Sequence, residues 1–187
     1  MGTLKQVMDI GGKPMVRQVA EPLFDAGLEL IVVIGHERDR VKQVLHDLPC
    51  EYVINEHPED GMFSSVRLGC LAVPPGEACL ITTCDCPGIR PGTIQLVKAT
   101  LEDEQTKVII PTFQGRRGHP AGLPAFLADQ IRCLPPDTPG LNSLWRGKPE
   151  MVYLVEVDDP AVLRDLDRPE DVKNQKVLDI NRHSLIL

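Results

Sequence analysis

The sequence predicts an α/β protein in which a mainly parallel sheet carries helices on both faces, folded as a single domain over residues 1–187. Short β-branched runs bounded by turn residues recur along the chain. Stretches with apolar residues at helical spacing lie between them, and no internal repeat, linker or low-complexity tract breaks the alternation. Strands alternating with helices imply right-handed crossovers, and a parallel sheet so built is buried on both faces. At 187 residues and 42% hydrophobic content, one core can bury roughly 70% of the unfolded surface.

The elements follow in order. Pro14 opens a helix whose expected apolar side is Met15, Val19 and Phe24, with Pro22 placed to kink it. LELIVVIG at 28–35 and EYVIN at 51–55 read as buried strands, and Val41, Val44, Leu45 and Leu48 recur at helical spacing between them. Met62, Val66 and Cys70 mark another helix, ACLITT at 78–83 a strand, Ile94, Val97 and Leu101 a helix, and KVIIP at 107–111 a strand. A Val/Tyr/Leu strand at 151–157 precedes the acid-rich LRDLDRPED at 163–171, where Pro169 suits the first position of a final helix.

The net charge of −7 argues against a broad nucleic-acid surface, while leaving room for a local basic pocket. No apolar run approaches the ~20 residues of a membrane span, and no charged-then-apolar leader opens the chain, so a cytoplasmic protein with no membrane partner is expected. In a reducing compartment the cysteines read as small apolar residues, with Cys50, Cys70 and Cys133 expected in the core.

Open parallel sheets bind ligands beyond the carboxyl ends of their strands, which directs attention to Gly35-His36, Asn55, Cys84-Asp85-Cys86 and Thr112 onward. Asp85 suits a turn before Cys-Pro-Gly as well as it suits a ligand. Cys84 and Cys86 have no CxxC or HxxxH partner to complete a zinc set. Asn55 is equally an ordinary strand-end residue, and His36 and His57 read as loop or capping groups. Gly61 to Ser65 (GMFSS) opens a helix, where free N–H groups and hydroxyls can take an anion or a sugar, or simply cap the helix. Gly11-Gly12-Lys13-Pro14 fails the Walker pattern, since Val7 stands in place of the earlier glycine and Pro14 in place of Ser/Thr, and Lys13 alone reads as a loop lysine. Gln114 to Pro120 (QGRRGHP) gathers guanidinium groups and an imidazole between glycines, fitting an anionic substrate or a plain hairpin.

Several blocks in register resemble the MobA-like NTP transferases, the molybdenum-cofactor nucleotidyltransferase family, with the cytidylyltransferase branch nearest. They are Met1-Gly2 with Lys5, Gly12-Lys13-Pro14, Ala26-Gly27, Asn55 with Gly61-Met62 and Ser65, Asp85 with Pro87, Arg117 to Pro120, and Asp165 to Asp171. The resemblance implies a three-layer α/β/α fold with a mainly parallel mixed sheet, of the nucleotide-diphospho-sugar transferase kind. It implies transfer of a nucleoside monophosphate from an NTP, CTP favoured over GTP, to a phosphate acceptor such as molybdopterin, with Mg²⁺ as cofactor and pyrophosphate leaving. A sugar phosphate or isoprenoid precursor is the alternative acceptor, and a noncatalytic cofactor-binding or insertion chaperone the alternative class. A molybdoenzyme or its chaperone is a further candidate partner.

By position, Asp85 resembles the family's metal-binding aspartate and Asp167 its second metal ligand. Lys5 and Lys13 resemble the lysines facing the phosphates. Gly2, Lys5, Asn55, Gly61 and Ser65 fall where the nucleotide binds, and Arg117 and His119 where the acceptor does. Arg168 stands where the family has Thr. The family opens with a strand and a loop of the form LAAGxSxRMGxxK, and this sequence starts at that loop's final Met-Gly. An N-terminally truncated domain is therefore expected, with a central strand position left to another segment, such as Ser184 to Leu187, or to a partner chain.

Overall fold

The computed structural model describes residues 5–35 and 38–166. Gly2, His36, Asp167, Arg168, the expected helix from Pro169 and the segment Ser184 to Leu187 lie outside the described residues. A 3-10 turn, Lys5–Val7, leads into β1 (Asp9–Ile10) and β2 (Lys13–Pro14), an antiparallel hairpin. Its loop residues Gly11 and Gly12 have φ of 65° and 93°. Two-residue hairpin loops of this kind need positive φ at both central positions, which glycine adopts without strain. The Gly-Gly pair is thus a tight turn, further held by Gly12 N donating to Asp9 Oδ1 at 2.9 Å.

Helix α1 (Met15–Asp25) buries Met15, Val16 and Ala20, and Leu23 packs on the core. Phe24, expected on the apolar side, is instead exposed, because the face through Val16, Ala20 and Leu23 is the one that meets the sheet. Pro22 lies within the helix and has no N–H for the Gln18 carbonyl, which accepts from Gly88 N at 3.4 Å instead. Next come β3 (Leu30–Ile34), α2 (Arg38–Val44) and β4 (Cys50–Ile54), a parallel pair in register from Leu30↔Cys50 to Ile34↔Ile54. The chain continues through α3 (Met62–Ala72), β5 (Cys79–Ile81), α4 (Pro91–Asp103), β6 (Val108–Phe113), β7 (Arg116–Arg117), β8 (Ala121–Leu123), α5 (Ala125–Arg132) and β9 (Val152–Glu156), and a 3-10 turn at Pro160–Leu163.

The sheet is mixed. Strand β6 pairs in parallel with β9, whereas β8 runs antiparallel between β5 and β6, and β7 folds back on the end of β6. Strand periodicity sends alternate residues to opposite faces. Val108 and Ile110 of β6, with Cys79 and Ile81 of β5, face Phe63 and Cys70 of α3 and Leu127 and Ile131 of α5. Ile109 and Leu80 face the other way, onto Ile94, Val97 and Leu101 of α4 and Leu23 of α1. Three layers result, and no described helix is long and apolar enough to cross a membrane.

Strands β3 and β5 lie in one layer. Helix α3 covers both, a Cβ at Gly69 meeting Val33 at 3.4 Å while Cys70 packs with Cys79, and Leu23 touches the clusters on the other side. Among the described residues β3 bonds only β4 and β5 only β8. The consequence shows in burial: Ile31, Val32 and Val33, and all of β5, are half-buried, whereas β8 is fully buried. A cavity of about 410 Å³ opens between Leu28 and Leu80, over Leu101.

Candidate active site

Beyond Ile81 the chain leaves β5 and turns through Thr83 to Cys86, whose amide donates to the Thr83 carbonyl at 3.3 Å. This turn presents Asp85 at the strand's carboxyl end. Lys5 Nζ reaches Asp85 Oδ2 at 3.1 Å, and the Thr83 hydroxyl donates to Oδ1. Burial disfavours the Asp85 carboxylate, but the Thr83 hydrogen bond and the Lys5 ammonium outweigh it and hold the carboxyl below its ordinary range. Its neighbour Cys86 is the opposite case. Burial, with the charges of Asp85 and Asp165 adding to it against a Thr83 contact, pushes that thiol up to about 11. The site offers oxygen as a ligand and keeps its sulfur protonated at neutral pH.

A second segment is stitched to this loop. Leu166 N donates to the Asp85 carbonyl at 3.1 Å, and an Arg164 guanidinium nitrogen to the Pro87 carbonyl at 3.0 Å. The same segment holds the turn that follows β7: His119 N donates to the Val162 carbonyl at 2.8 Å, while Gly118 N donates to the Pro111 carbonyl at 2.8 Å. A Cβ at position 118 would overlap the Val162 carbonyl, so only glycine lets these backbones approach. Arg117 is exposed in β7, and the β6–β7 hairpin turns at Gln114 and Gly115, with φ of 51° and 73°. The glycine-rich hairpin is thus real, and it sets Arg117 and His119 on either side of a backbone contact. His119 Nδ1 is buried and meets no hydrogen-bond partner among the described residues.

Asn55, Gly61 and Ser65 form a separate group. Asn55, 3% exposed, donates through Nδ2 to Ser64 Oγ at 2.8 Å and Ser65 Oγ at 2.9 Å, and its Oδ1 accepts from His57 N at 3.0 Å. Both amide hydrogens are used, so Asn55 fixes the start of α3 rather than reaching out itself. Gly61, at φ 95°, is the N-cap and accepts the Ser64 hydroxyl at 2.7 Å. The amides and hydroxyls at this helix start are what the group can show to a ligand.

Lys13 is drawn away from Asp85. Its ammonium pairs with Glu21, which also takes Arg17 Nε at 2.6 Å. The sequence reading missed Glu21 and Thr83; a hydroxyl two residues before Asp85 was the signal for Thr83, while Glu21 is disclosed only by the β1–β2 hairpin leading into α1. The free cysteines are unlike in setting: Cys70 and Cys86 are buried, but Cys133, expected in the core, is exposed, because it caps α5 as the chain leaves the sheet. Among the described residues no group of three or more His, Cys, Asp and Glu clusters as a metal site.

Gly118→Ala is expected to destabilise the protein by about 1–3 kcal/mol, the usual cost of forcing atoms into a packed position. Gly92→Ala, where a Cβ meets open space within α4, is the control and is expected to be neutral or slightly stabilising. Urea denaturation of both variants checks this.

The chain is similar to known proteins over most of its length. The chain is 25% identical over 181 residues to the nicotine blue oxidoreductase of Paenarthrobacter nicotinovorans, covering 90% of this chain and 85% of that one. Its fold matches the crystal structure of Rv0371c from Mycobacterium tuberculosis H37Rv with a TM-score of 0.80 and 20% identity over 94% of this chain and 89% of that one. Rv0371c has also been crystallised in complex with manganese. It further matches a CMP:2-keto-3-deoxy-manno-octonic acid synthetase complexed with CTP, with a TM-score of 0.73 and 14% identity over 95% of this chain and 92% of that one. These structural likenesses establish the nucleotide-diphospho-sugar transferase-like fold. Residues 1–152 match the MobA-like NTP transferase domain, and the chain belongs to that family.

Proposed function

We propose that the protein transfers a nucleoside monophosphate from an NTP, CTP in preference to GTP, to a phosphate acceptor of the molybdopterin kind, in the cytoplasm. The observation that carries this reading is Asp85, held ionised at a strand end by Lys5 and Thr83. An acceptor phosphate oxygen attacks the α-phosphorus, the bond from that phosphorus to the bridging oxygen breaks, and pyrophosphate departs with the electron pair. Such chemistry asks the protein mainly to position the reactants and neutralise charge.

Asp85 fits a small hard cation, which is commonly held by one or two carboxylates together with substrate phosphates. Bound there, Mg²⁺ would neutralise polyphosphate charge. Asp167, two residues after the Asp165 whose charge Cys86 senses, is the proposed second ligand. Lys5, which pairs with Asp85, is the proposed contact to the phosphates. Lys13 would have to leave Glu21 to join it. The start of α3, with Gly61 and Ser65 aligned by Asn55, and Gly2 ahead of Lys5 are the proposed nucleotide contacts. Arg117 and the unpartnered Nδ1 of His119 are the proposed acceptor contacts.

The test is pyrophosphate release from each NTP with molybdopterin, sugar phosphate and isoprenoid acceptors. Release with a single acceptor class identifies the substrate, and nucleotide binding without release would favour a noncatalytic chaperone. Oxidoreductase turnover of nicotine blue, the activity in the name of the Paenarthrobacter relative, with no pyrophosphate release from any NTP, would overturn the reading. Asp85→Asn is expected to abolish Mg²⁺-dependent release while leaving circular dichroism unchanged, and full activity over a Mg²⁺ titration would remove Asp85 from the mechanism.

The depressed Asp85 pKa carries a sign. A carboxyl whose folded-state pKa lies below its unfolded value of ~3.9 contributes stability that is complete above that value and is lost as pH falls through the folded-state pKa. Mn²⁺ binding and the Lys5 pair should persist from neutral pH to about pH 4 and disappear below it. A pH series of Mn²⁺ titrations checks this, and a loss already complete at about pH 6 would contradict it.

A further inference from the structure

Asp159 is 2% exposed and is the one carboxylate fully buried among the described residues. Burying an ionised carboxylate is costly unless its lone pairs are met, and here both oxygens are. Oδ2 accepts from Arg90 N and from Thr93 Oγ1, each at 2.9 Å, and Oδ1 accepts from Ala161 N at 3.1 Å. Arg90 is the N-cap of α4 and makes no side-chain cap of its own. Asp159 therefore caps α4 from far along the chain, with its charge at the positive end of the helix.

A cap that served α4 alone would need only one oxygen. Asp159 spends the other on its own segment, and that segment runs to the site. From Ala161 the bonds continue without a break: Arg164 N to the Ala161 carbonyl at 3.0 Å, the Arg164 guanidinium to the Pro87 carbonyl at 3.0 Å, and Leu166 N to the Asp85 carbonyl at 3.1 Å. The loop from Asp85 to Arg90 is thus gripped at both ends by residues 159–166, with Leu166 at its start and Asp159 at its finish. A Val162 carbonyl taken by His119 N fastens the acceptor-side turn to the same segment.

We infer that Asp159 is a positioning residue for the transfer reaction. By fixing residues 160–166 against the Asp85 loop it sets how tightly Asp85 holds a divalent cation. This rests on Asp85 being the metal-binding carboxylate. Asp159 touches no reacting atom; it acts through the backbone that carries Asp85.

The experiment titrates Mn²⁺ into the full chain by electron paramagnetic resonance, and measures the Mg²⁺ concentration for half-maximal pyrophosphate release, in a set of variants. Asp159→Asn replaces an acceptor by a donor facing donors. It is expected to weaken Mn²⁺ binding by about tenfold, the lower end of the effect of groups that orient metal ligands, and to raise the Mg²⁺ requirement in parallel. The KM for NTP at saturating Mg²⁺ should change little. Thr93→Val, which removes one donor while keeping the shape, should give a smaller shift in the same direction, and Thr93→Ser should restore native values. Melting temperatures show which variants fold; if Asp159→Asn does not, Thr93→Val against Thr93→Ser decides. Unchanged Mn²⁺ affinity in folded variants would show that Asp159 only stabilises α4 and overturn the inference. Native Mn²⁺ affinity in Asp85→Asn would instead overturn the metal reading beneath it, so the two failures are distinct.

Discussion

Strand β6 is the constraint on which the rest of the molecule depends. Its residues alternate into both cores, Val108 and Ile110 to one and Ile109 to the other, and these three are buried. It is bonded along one side by β9, along the other by β8, and at its end by β7. A strand so enclosed cannot slip by a residue without turning every apolar side chain to the wrong face. That fixed register is then exported to the site. The Pro111 carbonyl takes Gly118 N, and the Thr112 carbonyl takes Val157 N at 2.8 Å, two residues before Asp159. The Gly118 turn and the segment that grips the Asp85 loop are both hung from the end of one strand.

The parallel strands and the helices between them were legible because their patterns are local. IVVI, VII and the 3.6-residue recurrence of Ile94, Val97 and Leu101 each specify their own element, and the structure forms each within a few residues of expectation. Antiparallel β8 was not legible. Ala121–Leu123 is a short run with a glycine at its centre, and it is a strand only because it fills the space between β5 and β6, where a Cβ on Gly122 would press on Ile109 at 3.1 Å. Tertiary context assigns that strand; propensity does not.

The site divides along the same line. Asp85 came into view because ligands of α/β sheets bind beyond strand ends, which left it open between a turn and a ligand until the family resemblance pointed to the metal. Of the two groups that hold the Asp85 carboxyl below its ordinary range, Thr83 is two residues away, but Lys5 lies 80 positions away, and no spacing rule links Lys5 to Asp85. Asn55 was picked for its position and turns out to act on the serines of the following helix, a role that only side-chain geometry discloses. Lys13 shows the reverse: a lysine in a family block is held by Glu21 on the helix that follows it, away from Asp85, and it is Lys5 that pairs with Asp85.

The close approach at Gly118 has a consequence for how such a site can diverge. The obstacle to a larger residue is chiefly the carbonyl of Val162, a backbone atom that every amino acid at 162 would present alike. No substitution on the other side can relieve the clash, so position 118 is locked whatever the rest of the chain does. The side chain of Arg117 is under no such restriction, since it lies on an exposed strand, while His119 meets the Val162 carbonyl through its backbone amide, which any residue but proline supplies. On the proposed reading of Arg117 and His119 as acceptor contacts, a scaffold of this type can exchange those groups while the wall beneath them stays where it is, which separates the evolution of substrate choice from the upkeep of the fold.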